Sequence, residues 1–510
     1  MTDMALDTST QGNGSGPSHV RIALVGAGFG GIGMAIKLKQ AGIEDFVLLE
    51  RDSDVGGTWH ANTYPGCQCD IPSHLYSFSF APNPEWSRTY ATQPEIWRYL
   101  RGCAERFDVR RHIRFGCELT AADWDEDASL WRLATSQGPL TAEIVIAAPG
   151  PLAEPSVPAV DGLDSFEGDV FHTARWNHDV DLAGKRVAVV GTGASAIQAV
   201  PEIQPIVERL TVFQRTPPWV VPHRDRPISG IERRVYRRFP ALQRLVRSCV
   251  YATRELLVPA LVYRPQLMKL PERVARRHLE QQVPDPELRA RLTPDYRIGC
   301  KRILPSNRWY PALCEDNVDL VSGGIEEIRP NGVAMPDGEL REVDAIVFAT
   351  GFYVTEMPFA DTVRGVDGKS LSDVWQGSPQ AYRGTAAAGF PNFFWLVGPN
   401  TGLGHNSLVF MIEAQLAYLM DALKTIEARG AARVEVREEV QDAYNARLQK
   451  RMPQTIWNSG GCASWYIDAN GNNTTIWPDF TWRFWQENRQ FDAASYELTA
   501  KRPAPVAASA

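Results

Sequence analysis

The sequence contains two glycine-rich turns, each followed by a charged residue 24 positions after its first glycine. The first turn, Gly26–Gly31, reads GAGFGG and is followed by Glu50, while the second, Gly191–Ala196, reads GTGASA and is followed by Arg215. Turns of this kind place the backbone N–H groups of a helix start against a pyrophosphate. A carboxylate accepts hydrogen bonds from ribose hydroxyls, whereas a guanidinium binds a 2′-phosphate. The two turns therefore predict an FAD site followed by an NADPH site.

Individual positions in the turns have separate tasks. Gly26 would allow the tight turn, Gly28 would let the backbone approach the pyrophosphate, and Gly31 would let the helix pack closely on the strand. Thr216 would add a hydroxyl donor beside Arg215. The residues expected to contact the second cofactor are Gly191, Gly193, Ser195, Arg215 and Thr216.

Both turns lie in the strand, turn, helix and strand order that a dinucleotide site requires. In the first unit, a strand is predicted at 19–26, a helix after it to about residue 40, and a second strand at 46–50. In the second unit, the strand, helix and strand are predicted at 185–191, 194–207 and 210–215. Pro201 is expected to kink or break the second helix. Apolar strands at 144–150 and 345–351 would close the two domains. The predicted fold class is α/β, with two Rossmann-like dinucleotide-binding domains and a helical insert in the second.

The overall composition restricts the class of protein. A chain of 510 residues is too long for one ordinary core, so two or three domains are expected. The contents of 44% hydrophobic and 22% charged residues are typical of a globular protein, and the net charge of −7 argues against general nucleic-acid binding. No apolar run approaches the roughly 18 residues of a membrane-spanning helix.

The eight cysteines include no paired CxxC units of the zinc-binding kind, and no metal site is predicted. Cys67 and Cys69 are too close together for an unstrained disulfide, so both are expected to pack as small side chains. Since no signal peptide is recognisable, we expect reduced thiols and a cytoplasmic location. Residues 1–18 are rich in Ser, Thr and Gly and predict a disordered leader.

The predicted domains are discontinuous in sequence. We assign 19–150 and 385–510 to the FAD-binding domain, 151–229 and 303–384 to the NADP-binding domain, and 230–302 to a helical insert. The insert is rich in arginine, which is typical either of a solvated basic face or of a basic amphipathic surface in peripheral contact with a membrane. Many tryptophans follow residue 384, and they suit either a core or an apolar substrate pocket.

Two longer motifs resemble the signatures of a known family. Residues 56–70 read GGTWHANTYPGCQCD, and residues 166–177 read FEGDVFHTARWN, in which Phe166, Gly168, His172 and Trp176 have the characteristic spacing. Both are similar to motifs of the Baeyer–Villiger monooxygenases, the type I members of the class B flavoprotein monooxygenases. Related flavin enzymes that oxidise nitrogen and sulfur typically have Tyr at the position of Trp176. The resemblance extends from Val25 to about Phe484.

The resemblance implies an FAD-dependent enzyme that consumes NADPH and inserts one oxygen atom of O2 next to a ketone carbonyl. The product would be an ester or a lactone, formed through a C4a-peroxyflavin, and the partners would be a small apolar ketone and O2. The resemblance also implies that Arg302, in the Lys301–Arg302 pair, stabilises the anionic peroxide while Asp70 orients the arginine. His172 is expected to couple domain motion to turnover rather than to transfer a proton.

The same resemblance implies further contacts. The loop Gly398–Ser407 would pack against the flavin, and Trp465, in the Ser464–Tyr466 segment, would belong to a mobile loop that meets substrate. The cofactor-binding residues implied are Gly26, Gly28, Gly31, Glu50, Thr58, Trp59, Asp70, Tyr76, Lys301 and Asn400. The alternative left open is a flavin monooxygenase that oxidises sulfur or nitrogen, which has less use for an Arg302–Asp70 pair.

Overall fold

The computed structural model describes residues 18–336 and 338–500. The predicted leader therefore lies almost entirely outside the described residues. The helices are α1 (Phe29–Gln40), α2 (Thr58–Ala61), α3 (Gln93–Arg106), α4 (Ala194–Ile203), α5 (Gly230–Arg238), α6 (Pro240–Glu255), α7 (Lys269–Gln282), α8 (Pro286–Arg291), α9 (Trp309–Leu313), α10 (Leu371–Trp375), α11 (Leu408–Arg429), α12 (Glu438–Arg451), α13 (Ile456–Ser459) and α14 (Thr481–Glu487).

The strands belong to two large sheets and three small ones. They are β1 (Ser18–Val25), β2 (Phe46–Leu49), β3 (Ile113–Arg114), β4 (Leu119–Asp125), β5 (Leu130–Thr135), β6 (Gly138–Ala147), β7 (Asp169–His172), β8 (Arg186–Val190), β9 (Arg209–Gln214), β10 (Val220–Val221), β11 (Leu304–Pro305), β12 (Val318–Ser322), β13 (Glu327–Arg329), β14 (Gly332–Ala334), β15 (Leu340–Glu342), β16 (Ala345–Phe348), β17 (Val363–Arg364), β18 (Phe393–Trp395), β19 (Ala431–Val436) and β20 (Tyr496–Ala500).

The first large sheet has the order β17-β4-β5-β6-β1-β2-β3, and β18 also pairs with β6. Strands β1, β2 and β6 run parallel, and their apolar residues are buried on both faces, as expected where helices cover a parallel sheet. Helix α1 is nearly all buried, because it lies against both this sheet and α11. The first glycine turn therefore sits at the carboxyl end of β1, where open α/β sheets bind ligands.

The second large sheet is entirely parallel, with the order β12-β9-β8-β16-β7. The second glycine turn joins its central strand β8 to α4, which repeats the arrangement of the first unit. Helix α4 continues past Pro201 and ends at Ile203, so the proline is accommodated in the last turn rather than breaking the helix. Both sheets agree with the predicted α/β class.

The limits of the two domains lie where the chain passes from one large sheet to the other. Strand β17 pairs with β4 of the first sheet, so the chain has already rejoined that sheet at Val363, earlier than the predicted residue 385. The insert contains α5 to α8, as its pattern predicts, and α5 begins with a capping box between Ser229 and Glu232. Within the described part of the chain, no helix is long and apolar enough to cross a membrane.

Candidate functional site

The first glycine turn has a geometry that only glycine satisfies. Gly26 has φ +93°, and a Cβ there would lie 2.6 Å from the Ala148 carbonyl oxygen. A Cβ on Gly31 would lie 1.9 Å from the carbonyl oxygen of Gly26, so α1 can start this close to β1 only without a side chain. Gly28 precedes α1, whose first N–H groups have no partner within the helix and are available to an anion.

A second backbone segment approaches the same turn. A Cβ on Gly57, which has φ +53°, would lie 3.0 Å from the Cα of Gly28. Gly57 is followed by Thr58 at the start of α2, and the indole of Trp59 donates to the hydroxyl of Tyr76 at 3.1 Å. The structure thus brings Thr58, Trp59 and Tyr76 to the side of the first turn, and their contact with the cofactor stays a prediction.

Glu50 ends β2 with its carboxylate buried beside the turn. Its Oε2 accepts from the N–H of Ala27 at 2.6 Å, and its Oε1 accepts from the N–H of Asp52 at 2.9 Å. Burial raises the pKa of Glu50, although these two backbone donors oppose the shift. Each oxygen keeps accepting capacity, so the carboxylate is placed to accept from ribose hydroxyls.

The second turn repeats this geometry. Gly191 has φ +111°, and a Cβ there would lie 2.5 Å from the Ala349 carbonyl oxygen. Gly193 precedes α4, whose first N–H groups are likewise left for a ligand. The hydroxyl of Thr192 donates to the carbonyl oxygen of Thr216 at 3.2 Å, which fixes the end of β9 against the turn.

Two cations meet beyond β9. Arg215 is exposed, and neither it nor Lys301 forms a salt bridge among the described residues, although the charge of Asp295 acts on Lys301. The pKa of Lys301 is lowered, mainly by burial and then by the positive charge of Arg215, so the two charges lie close enough to repel one another. Two cations that form no salt bridge and are kept together in this way suit a dianionic phosphate.

Arg302 and Asp70 form a bidentate ion pair. The Nε and Nη2 atoms of Arg302 donate to the two carboxylate oxygens of Asp70 at 2.5 and 2.7 Å, and Nη1 donates to the Leu403 carbonyl oxygen at 3.1 Å. Burial alone would raise the pKa of Asp70, but Arg302 outweighs it and the pKa is lowered. Three of the five guanidinium N–H groups are used, so two remain for a ligand.

A buried tyrosine completes the surroundings of this pair. Tyr466 is 1% exposed, its hydroxyl has no hydrogen-bond partner within the described chain, and burial raises its pKa to about 12. Its electrostatic interactions are with Arg302 and Asp70. Trp465, which the sequence predicted as the substrate contact, is 47% exposed and packs on the Tyr466 ring with centroids 4.3 Å apart. Tyr466 lies in the same Ser464–Tyr466 segment, but no local sequence signal distinguishes it from its neighbours.

The expectation that the cysteines are all reduced thiols is wrong. Cys300 and Cys462 form a disulfide, whereas the other six cysteines, including Cys67 and Cys69, are free. The bond joins the segment before Lys301 and Arg302 to the loop before Trp465 and Tyr466. The sequence does not indicate this bond, because 162 positions separate the two cysteines and no local motif links them.

Asn400 does not turn its amide hydrogens towards a ligand. Its Nδ2 donates to the carbonyl oxygens of Asn473 and Ile476 at 2.8 and 3.0 Å, which ties the Gly398–Ser407 loop to the segment after Tyr466. The Asn400 N–H also donates, to the Thr474 carbonyl oxygen at 2.7 Å, so a flavin contact from Asn400 stays a prediction that rests on its side-chain or carbonyl oxygen.

The motif around Tyr64 joins the two nucleotide-binding units. The Tyr64 hydroxyl donates to Gln198 of α4 at 2.9 Å, and a Cβ on Gly66 would lie 2.6 Å from the Gln198 carbonyl oxygen. The Tyr-Pro-Gly sequence is thus explained by a close contact between units, and it positions Asp70 four residues later.

The second motif also makes a structural contact. The Nδ1 atom of His172 accepts from the Ala174 N–H at 3.0 Å, and burial lowers the pKa of His172 to about 4. The neighbouring Thr173 donates to the Ser195 hydroxyl at 3.1 Å, at the start of α4. Trp176 packs edge-on against Phe171, and Gly168 leaves room for the ring of Phe166. The role of His172 in coupling domain motion to turnover stays a prediction.

Both turns fit the dinucleotides that the sequence predicts. At each one, a glycine at positive φ lies where a Cβ would strike the neighbouring strand end, and a helix start is left open. The difference lies beyond them, where Glu50 accepts from the first turn, whereas Arg215 follows the strand after the second turn and lies near Lys301.

Comparisons with known proteins agree with this arrangement. Residues 23–252 match the family model described as pyridine nucleotide-disulphide oxidoreductase. The chain is 52% identical over 493 residues to a Baeyer-Villiger monooxygenase of Streptomyces coelicolor, covering 96% of this chain and 95% of the relative. It is 50% identical over 497 residues to a Baeyer-Villiger monooxygenase of Pseudomonas aeruginosa, covering 97% and 94%.

Solved structures are similar over nearly the whole chain. The closed crystal structure of cyclohexanone monooxygenase matches with a TM-score of 0.86 and 29% identity, and the OTEMO complex with FAD and NADP matches with 0.84 and 29%. Oxidized steroid monooxygenase bound to NADP matches with 0.83 and 32%. Each comparison covers 95% of this chain and 100% of the other.

Proposed function

The chain belongs to the Baeyer–Villiger monooxygenases, and from this premise we propose which of its residues carry out the reaction. The enzyme uses FAD and NADPH, and it converts a ketone and O2 to an ester or lactone. Bound FAD would supply the activated oxygen that is inserted beside the carbonyl. The protein binds, orients and shields the reactants.

Arg302 is the residue proposed to stabilise negative charge at the reacting oxygen. The observation that carries this proposal is that Asp70 and the Leu403 carbonyl use three of its N–H groups and fix the guanidinium, which leaves two N–H groups in a set direction. A fixed donor stabilises developing charge without the cost of reorganisation when the reaction occurs. Asp70 is the positioning residue, since it acts through Arg302.

Tyr466 is proposed to contact the substrate or the cofactor beside Arg302. A buried hydroxyl without a partner costs free energy, so its partner is expected to arrive with a ligand. The raised pKa of Tyr466 keeps the phenol protonated, and it therefore acts as a hydrogen-bond donor. Trp465, more exposed beside it, is proposed to close over an apolar ketone.

The two cofactor sites follow from their charged residues. Gly26, Gly28, Gly31 and Glu50 would hold the pyrophosphate and ribose of FAD, with Thr58, Trp59 and Tyr76 on the neighbouring segment. For NADPH, Gly191, Gly193 and Ser195 would face the pyrophosphate, and Arg215, Thr216 and Lys301 would bind the 2′-phosphate. We propose a cytoplasmic location because NADPH is supplied there; the Cys300–Cys462 disulfide removes the argument from reduced thiols.

The experiment that tests the role of Arg302 separates flavin reduction from ester formation. In R302A, anaerobic NADPH should still bleach the flavin, while ester yield from a ketone panel, identified by mass, should fall by a factor of about 10²–10³. R308A is a matched control, because Arg308 pairs with Glu202 instead of Asp70. Normal ester yield in R302A would remove the assignment.

A further inference from the structure

The helical insert differs in charge from the rest of the chain. Between residues 230 and 302 there are 17 Lys and Arg and seven Asp and Glu, an excess of ten positive charges, whereas the whole chain has a net charge of −7. A positive field confined to one segment of an acidic protein indicates an anionic partner for that segment.

One part of the insert has a cavity lined by this charge. A cavity of about 350 Å³ lies at the start of α7, and its cationic lining residues are Lys269, Arg273, Arg276 and Arg297. Glu272 is the acidic lining residue, and it is paired with Arg276, which also stacks on Trp219. Lys269, Arg273 and Arg297 have no acidic partner among the described residues.

Exposed apolar side chains lie next to the cavity. Leu267, Leu270 and Val274 are 48%, 62% and 51% exposed, and their spacing of three and four residues puts them on one side of the chain as it enters and continues along α7. Lys269 directly precedes Leu270 and Arg273 directly precedes Val274, and both basic residues line the cavity. We call Lys269, Arg273, Arg297, Leu267, Leu270 and Val274 the α7 surface.

We propose that the α7 surface docks on an anionic phospholipid bilayer, with the cavity binding one lipid phosphate headgroup and the three apolar side chains entering the interface. A free phosphate ion would match the cations but would leave the apolar side chains in water. A bilayer matches both features, because basic side chains bind anionic headgroups while neighbouring leucines bury in the acyl boundary.

The proposal goes beyond catalysis and does not depend on the roles given to Arg302 or Tyr466. Of the two interpretations that the basic insert left open, the proposal takes membrane contact, since the α7 surface combines charge with exposed apolar area. A lipophilic ketone that partitions into a bilayer would then be close to the enzyme.

The test is co-sedimentation of the holoenzyme with vesicles of phosphatidylcholine and phosphatidylglycerol at 3:1, compared with phosphatidylcholine alone. Each basic side chain near an anionic surface contributes about fivefold, so the charge variant K269Q/R273Q/R297Q should bind about a hundredfold more weakly. The apolar variant L267S/L270S/V274S should bind at least about tenfold more weakly. Parent binding should weaken as salt is raised.

Matched controls remove the same groups elsewhere. R98Q/R106Q/R429Q deletes three exposed arginines outside the insert, and V157S/I206S/V374S replaces three apolar residues that are also partly exposed. Both should bind vesicles like the parent, and all four variants should keep the parent flavin content and melting temperature. Equal vesicle binding by the charge variant and its control would overturn the proposal.

Two further measurements separate other occupants. If calorimetry with inorganic phosphate shows binding at the cavity while vesicles do not bind, the site takes a free anion and the lipid proposal fails. If light scattering shows a dimer that the apolar variant converts to a monomer, and vesicles do not bind, the surface pairs with a second copy and the proposal also fails. Turnover is not measured in either case, so these outcomes leave the proposed function untouched.

Discussion

Gln198 and Gln68 connect the two nucleotide-binding units through a reciprocal contact. Gln198 Nε2 donates to the Gln68 carbonyl oxygen at 2.9 Å, and the Gln68 N–H donates back to Gln198 Oε1 at 3.2 Å. The same Oε1 accepts from the hydroxyl of Tyr64. Because Gln198 lies on α4, the contact joins the start of the NADPH site to the segment that ends at Asp70.

Replacing Gln198 by leucine should weaken this connection. The change leaves the Tyr64 hydroxyl and two backbone groups of Gln68 without partners, which should lower the free energy of unfolding by about 1–3 kcal/mol. Flavin reduction by NADPH should slow as well, since the units lose their alignment. Urea denaturation and stopped-flow absorbance at the flavin band would measure the two effects.

Q204L is the control for this variant. Gln204 follows the same helix, but it bonds Asn317 within the second unit. We expect Q204L to lower stability without slowing flavin reduction. Equal slowing in Q198L and Q204L would mean that the contact between the units has no role in reduction.

Replacing Arg215 by alanine should change cofactor preference. Removal of one charge-assisted phosphate contact costs roughly 1.5–3 kcal/mol, so the Michaelis constant for NADPH should rise about ten- to a hundredfold. The constant for NADH should stay nearly unchanged, because NADH has no 2′-phosphate. Steady-state kinetics with both cofactors would decide the matter, and equal increases would argue that Arg215 binds a part common to both.

Because of Lys301, NADPH binding should weaken as the pH becomes alkaline. Burial and the charge of Arg215 lower the pKa of Lys301 below the usual 10.5, so the ammonium loses its proton earlier than a free lysine as pH rises. As pH is raised, the Michaelis constant for NADPH should therefore begin to increase before pH 10.5, the usual pKa of a lysine, is reached. K301R should remain charged and flatten this increase, and a profile that is the same in K301R and the parent would contradict the assignment.

Much of the fold is readable from local patterns. In the first unit, the patterns predict a strand at 19–26, a helix to about residue 40 and a strand at 46–50. The structure has the strand Ser18–Val25, the helix Phe29–Gln40 and the strand Phe46–Leu49. Each element is set by its own apolar residues and by glycines that lie within a few positions, so the sequence contains the information locally. The predicted helix 194–207 ends earlier, at Ile203, because the residues after it turn to start β9.

Long-range contacts were the part that local patterns missed. The bidentate Arg302–Asp70 pair was expected only through a family resemblance, since 232 positions separate the two residues. Nothing local marks Tyr466 as the residue beside Arg302, because burial depends on how the tail folds over the insert. The domain limit near Val363 was missed for the same reason, as a two-residue strand has no periodicity to detect.

Replacing Tyr466 by phenylalanine should leave stability unchanged or raise it slightly while it slows ketone oxidation. The lost hydroxyl has no partner in the described chain, so its removal from the free enzyme relieves the cost of burying an unpaired polar group. The rate should fall if the hydroxyl donates to a ligand. Y418F is a useful comparison, since Tyr418 donates to Tyr496 at 2.9 Å and its loss should cost about 1 kcal/mol. Unchanged kcat and KM in Y466F would assign the ring to packing alone.

The Cys300–Cys462 disulfide should hold the tail loop beside the catalytic arginine. Cys300 precedes Arg302 by two residues and Cys462 precedes Trp465 by three, so the bond limits how far this loop can move from Arg302. Loss of a disulfide that closes a long loop costs about 2–5 kcal/mol. C462S should therefore melt at a lower temperature and should oxidise more NADPH per ester formed, because a loosened loop admits water to the site.

Thiol counting and a reductant series test this directly. Alkylation of the unfolded protein should label six cysteines without reductant and eight with it. Dithiothreitol should shift the parent to the melting temperature and coupling ratio of C462S, and it should not change C462S further. C314S, which removes an exposed free thiol, should behave like the parent. If C462S matches C314S in both measurements, the bond does not constrain the loop, and movement of Trp465 relative to Arg302 must be limited by packing such as the Trp465–Tyr466 ring contact.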